Sequence, residues 1–208
     1  MMTEDLEAKP RGFTDWIFGG YADYVRGLTP LFTLCGFLFI FSLSMGYALG
    51  GSLPRSGLDE ITGAFPDISQ WGIAGIFAFI VANNVGKGLL FMLLGVLAGI
   101  PSLFFIVFNG FVIGWVAYDL AAQTSLAIAV AGLAPHGIIE VPTFILSMTM
   151  GMGIGYQMIN KIRGHGEPVR EVRLALGLFM RRILILFIIA ALVEITITPI
   201  MMLLAGYS

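Results

Sequence analysis

The chain has 208 residues, of which 58% are hydrophobic and only 12% charged, with a mean hydropathy of +0.92. Soluble domains carry roughly 25% charged residues, and a soluble core of this size cannot bury so much apolar surface, so the composition points to a polytopic helical membrane protein. The formal net charge of −2 gives no case for a nucleic-acid partner.

The apolar runs are continuous, which excludes the alternating pattern of a membrane β-barrel. The single cysteine, Cys35, sits inside such a run. It offers neither a disulfide framework nor a CxxC metal site and reads as a small buried hydrophobe.

Residues 1–12, MMTEDLEAKPRG, are polar and lack the basic region and short apolar core of a cleavable signal. The first apolar segment is therefore expected to remain as a span. In residues 13–28, Phe13, Trp16, Ile17, Tyr21, Tyr24 and Leu28 share one helical face. That pattern predicts an amphipathic helix, lying on the membrane or packed on the spans. Residues 1–27 are thus taken as a tail with an interfacial helix, and 28–208 as the transmembrane domain.

A span over about 28–50 comes first, since crossing needs roughly 20 apolar residues. The polar connection 51–70 has room for one short helix near 56–65. Residues 71–120 are too long for one crossing, and Gly99 with Pro101 marks the turn. Spans at about 71–98 and 101–119 result. Residues 125–158 are apolar but interrupted by Pro135, His136 and Gly137, which predicts a broken helix. A basic helix over 168–182 leads into a last span at 183–205. Five crossings follow. A six-segment arrangement, with a half-helix at 72–86, is the alternative.

Orientation follows from loop charge. Lys161, Arg163, Arg170, Arg173, Arg181 and Arg182 cluster in 159–182, whereas the 51–70 loop carries only Arg55. The positive-inside rule then places the N-terminus in the cytoplasm and the C-terminus outside the cell membrane. The bilayer is the first partner. Glycines spaced four apart, Gly46 and Gly50, Gly95 and Gly99, Gly110 and Gly114, Gly151 and Gly155, predict close helix packing within the chain. Homodimers or other membrane-protein partners through one such pair are a weaker expectation.

Polar groups inside the apolar runs are the candidate site: Asn83, Asn84, Lys87, Asn109, His136, Glu140 and Glu194, with Asp119 near a span end. An ionised group at membrane depth costs a few kcal/mol or more and faces a partner or a water-filled cavity. A pair between Lys87 and Glu140 or Glu194 would offset part of that cost. The alternatives are a cavity for an ion or small solute and a structural pair that fixes helix register. If the helix broke at Pro135 and Gly137, its restart would aim free N–H groups at the site.

Enzymatic chemistry has little support. HExxH is absent, with only His136 and His165 as histidines. GxSxG and P-loop motifs are absent too. His136 and Glu140 could supply two metal ligands from one helix face, but the sequence shows no third. Neither a cofactor nor a metal is expected.

The stretch FIVANNVGKGLLFMLLGVLAGIPSLFFIVFNGFVIGW, followed by PHGIIEVPTFILS, resembles the stage II sporulation protein M family of integral membrane proteins. The resemblance rests on Asn83, Asn84, Gly95, Gly99, Asn109, Gly110 and Gly114, then Pro135, His136, Gly137 and Glu140. It implies a non-enzymatic membrane scaffold or membrane-remodelling component. A buried histidine and carboxylate fit a pure scaffold poorly, so a small channel or transporter lined by Lys87, His136, Glu140 and Glu194 stands beside it.

Overall fold

In a computed structural model the protein is described over residues 18–64, 66–67 and 70–207. The polar tail and Phe13, Trp16 and Ile17 of the expected interfacial helix lie outside the described residues. All regular structure among the described residues is helical.

A 3-10 turn, Gly19–Tyr21, leads into the short helix α1, Ala22–Gly27. The first long helix, α2, covers Thr29–Leu49, and α3, Arg55–Gly63, fills the polar connection. Then come α4, Ile73–Leu93, and α5, Ile100–Gln123. The longest helix, α6, runs over Leu126–Ile162, and α7 covers Pro168–Leu178. A π-helical turn, Phe179–Ile183, joins α7 to α8, Leu184–Leu204. Five helical segments among the described residues are long and apolar enough to cross a membrane. The six-segment arrangement does not occur, because α4 is one continuous helix through 72–86.

Local chemistry explains the joints. Gly99 takes φ +75° at the start of α5, with Pro101 in its first turn. Its amide donates to Gly95 O at 2.7 Å. The Ser125 side chain caps α6 by accepting from the Ile128 amide at 3.2 Å. At the far end of α6, Gly164 has φ +90°, and His165 N donates to Asn160 O at 3.0 Å.

The expected break at Pro135 and Gly137 is not there. The α6 helix passes through Pro135 and Pro142 without interruption. Each proline removes one backbone donor, but a broken helix would strand several groups where lipid can satisfy none. Two hydroxyls also bond back along the stretch: Thr143 donates to Ile139 O at 2.6 Å and Ser147 to Thr143 O at 2.9 Å. No restarted helix N-terminus therefore points at the site.

The α6 helix is the hub, packing on α2, α4, α5, α7 and α8. The α2–α5 contact is the most extensive pairing. The spaced glycines explain both. A Cβ on Gly46 would overlap the Phe111 carbonyl, and one on Gly114 the Leu43 carbonyl. A Cβ on Gly95 would overlap the Gly151 carbonyl, and one on Gly155 the Gly99 amide. The four pairs therefore match each other inside the chain: 46 and 50 face α5, and 95 and 99 face α6.

The remaining contacts tie the ends of the bundle. Arg55 Nε donates to Asp119 Oδ1 at 2.8 Å, and Gln123 bonds the same carboxylate. Asp119 thus anchors α3 onto α5 and takes no part in the mid-bundle cluster. At the opposite end, the buried Tyr24 hydroxyl has no hydrogen bond of regular geometry among the described residues. Burial first, and then the neighbouring Glu171 charge, push this phenol well above the ordinary tyrosine range.

Two outcomes follow. Gly46→Ala and Gly114→Ala should each lower stability in detergent by about 1–3 kcal/mol through overpacking. Gly36→Ala, which meets open space, should be neutral; equal thermal unfolding of all three variants would contradict this packing. Tyr24→Phe should leave stability unchanged or raise it by up to about 1 kcal/mol, because it removes a buried hydroxyl lacking a good partner. A loss of stability in denaturant titrations would show that the hydroxyl is satisfied after all.

Candidate functional site

Three helices place the site. The α4 helix carries Asn83, Asn84 and Lys87, halfway along its length. The α6 helix carries His136 and Glu140, four residues apart and so on one face. The α8 helix carries Glu194, midway between Leu184 and Leu204, with Thr198 one turn on. Because α6 packs against both α4 and α8, these side chains meet at mid-depth of the bundle.

The Asn83 amide donates to Asn84 Oδ1 at 3.2 Å. Asn84 is buried and its side-chain amide lies beside Glu140, acting to favour the ionised carboxylate. Glu140 lies within electrostatic reach of both Glu194 and Lys87. The sequence left two carboxylates open as partners for Lys87. The fold selects Glu140, the carboxylate that acts on the Lys87 ammonium. His136 Nδ1 lies 3.4 Å from Thr198 Oγ1, which in turn reaches Val193 O at 3.5 Å.

Two cavities meet at this cluster. The larger, about 520 Å³, runs between α4 and α8 from Ile73 and Pro199 down to Asn83, Asn84, His136, Glu140 and Glu194. The smaller, about 200 Å³, lies between α4, α5 and α6 and includes Lys87 and Asn109. Asn83, Asn84, His136 and Glu140 border both. Glu194 therefore faces only the larger chamber, and Lys87 and Asn109 only the smaller. Glu140 stands between an acidic side and a basic side.

The sequence suggested no third ligand beside His136 and Glu140. The fold supplies one. One ligand atom each from His136, Glu140 and Glu194 lies within 4.8 Å of the others. All seven candidate residues line one chamber or the other. Pro135 and Gly137 form no break. Thr198 was missed, although its place one turn after Glu194 on an apolar helix was a readable signal.

These features define a multi-pass α-helical membrane protein with an ionisable cluster at mid-depth. Residues 31–199 match the family described as Stage II sporulation protein M, and the chain belongs to that family. An uncharacterized protein of Methanocaldococcus jannaschii is 37% identical over 111 residues, covering 51% of this chain and 50% of its own length. The chain thus spans about half the length of that relative. A second uncharacterized protein of the same organism is 29% identical over 168 residues, covering 78% of this chain and 91% of its own. No solved structure matches the chain.

The Lys87–Glu140 interaction can be measured. Lys87→Met should destabilise the protein by about 1–3 kcal/mol, less than for a fully buried pair because both groups border cavities. Combining it with Glu140→Gln should cost less than the sum of the two single changes. Strict additivity in a double-mutant cycle would mean that the two charges do not interact.

Proposed function

We propose that the chain is a non-enzymatic membrane protein that binds a small cation at mid-depth and passes it across the bilayer. The observation that carries this reading is the pair of chambers meeting at His136 and Glu140. Carboxylates held at membrane depth are expensive unless they face a partner or water. A cluster that only fixed helix register would need no open volume beside it.

The charge layout gives a mechanism. With His136 neutral, Glu140, Glu194 and Lys87 sum to one negative charge. A cation entering the larger chamber meets two carboxylates. Glu140 can then exchange its interaction with Lys87 for one with the cation. Return of the Lys87 interaction displaces the cation from Glu140, and onward passage through the smaller chamber requires the Lys87 ammonium to move aside, since like charges repel. Along α4, the larger chamber reaches from Ile73 to Asn84, about 16 Å at the helical rise. The loop charges support an internal N-terminus and an external C-terminus. In that orientation the Ile73 end of the larger chamber is its outer mouth.

A scaffold or membrane-remodelling role is the second reading. It is favoured by the 37-residue length of α6. That is about 55 Å of helix, against roughly 30 Å of hydrocarbon. The excess, together with α7, would form a ledge beyond the lipid on which a partner could assemble.

Flux from proteoliposomes separates the two. Transport predicts that wild type carries a cation down its gradient and that Glu140→Gln lowers the rate at least tenfold while the protein still folds. Absence of flux across common mono- and divalent cations, with Glu140→Gln changing only the melting temperature, would leave the scaffold reading.

A further inference from the structure

We infer that His136, Glu140 and Glu194 form a binding site for a divalent first-row transition metal, which is the cargo of the chambers rather than a resident cofactor. This rests on the transport reading above for its purpose, but not for its geometry. The three ligand atoms come from two helices and lie within 4.8 Å of one another. Metal–ligand bonds near 2.1 Å place the ligands of one ion about 3–4.2 Å apart. Closing on an ion therefore needs movements of about half an ångström, within the rotamer freedom of two glutamates beside a cavity.

The imidazole is set up to ligate. The Thr198 hydroxyl lies 3.5 Å from Val193 O, a contact to which it can donate. With the hydroxyl so turned, its lone pairs would accept from a proton on His136 Nδ1, 3.4 Å away. That tautomer leaves the Nε2 lone pair for a metal, and it is the outer-shell arrangement that metal-bound histidines usually have. Asn84 borders the same chambers as Glu140, with its side-chain amide beside the carboxylate. Each ligand on α6 thus has beside it a polar neighbour that does not itself ligate.

The donor set selects the ion class. One imidazole with two carboxylates suits Mn²⁺, Fe²⁺, Co²⁺ or Zn²⁺ better than Mg²⁺ or Ca²⁺, which prefer oxygen alone. Copper(I) would want sulfur, and the Cys35 and Met152 sulfurs, 3.2 Å apart, lie among other residues. Three protein ligands leave coordination positions open to water, as in sites that exchange what they bind. The larger chamber supplies the space. Lys87, on the opposite side of Glu140, competes with the ion for the same carboxylate.

The test uses full-length, tag-free protein in nanodiscs, stripped with EDTA and titrated with Co²⁺ and Zn²⁺. Co²⁺ absorption and metal analysis after gel filtration give affinity and stoichiometry. One ion per chain is expected, undisplaced by excess Mg²⁺. His136→Gln, Glu140→Gln and Glu194→Gln should each weaken binding at least tenfold, and His165→Gln should not. Lys87→Met should tighten it several-fold, an effect that a merely damaged fold would not produce. If a carboxylate variant does not fold, Thr198→Val must still weaken binding by freeing the imidazole. No stoichiometric metal on wild type, or binding that survives Glu194→Gln, overturns the site. Flux of metal or alkali cations from the same preparation separates the two claims. Binding without any flux sinks transport and keeps the site; flux of alkali cations without metal binding sinks the site and keeps transport.

Discussion

Between two helices in lipid there is little hydrophobic drive, because a hydrocarbon tail is as apolar as leucine. Association depends instead on how closely two backbones can approach. In this chain that approach is made at glycine faces: Gly46 and Gly114 seal α2 against α5, and Gly95 and Gly155 seal the end of α4 against α6. Everything at the site depends on this. With α6 locked at its far end against the Gly95–Gly99 turn, its other half lies between α4 and α8. Only there can His136 and Glu140 meet Asn84 on one side and Glu194 on the other. The same matching consumes all four glycine pairs, so none of these faces is left free for a second copy of the chain.

The hub also explains how two prolines fit into a helix of 37 residues. A soluble helix can end at a proline and give its stranded carbonyls to water. Within a bilayer that exit is closed, and losing one hydrogen bond per proline costs less than exposing a whole turn. Packing on several neighbours holds the segment straight enough to continue. Pro135 is thus a local accommodation beside the site, and the polar cluster is assembled by side chains rather than by backbone ends.

Much of this was legible in the sequence, for reasons that can be named. Hydropathy and length locate spans because lipid thickness sets them, and the Gly99–Pro101 turn and the helix at Arg55–Gly63 carry their usual local signals. The glycine spacing announced close approach but not which pair meets which. The seven residues stood out because polar and ionisable groups are rare at membrane depth. Three things were not legible. Proline and glycine together suggest a break, yet whether the helix breaks is decided by neighbours that a single segment does not reveal. The choice of Glu140 over Glu194 for Lys87 depends on helix rotation about α6. The third member of the His136–Glu140–Glu194 cluster lies on a helix far away in sequence, and no local pattern joins Glu194 to His136.

Glu140 is the residue on which these constraints converge. It borders both chambers, interacts with a lysine in one and a glutamate in the other, and has the Asn84 amide beside it. A carboxylate meant only to hold a structure together would be best served by one partner and no adjoining space. Here it has two competing electrostatic neighbours of opposite sign and open volume on both sides. In the cation passage proposed above, it is the balance between these two neighbours that changes. The larger chamber's apolar walls, Ile73, Ile76, Phe79 and Ile80 on α4, sharpen that balance. They lower the local dielectric and strengthen whichever interaction Glu140 makes. An added positive charge beside Glu194 is therefore the simplest event to which this part of the fold would respond.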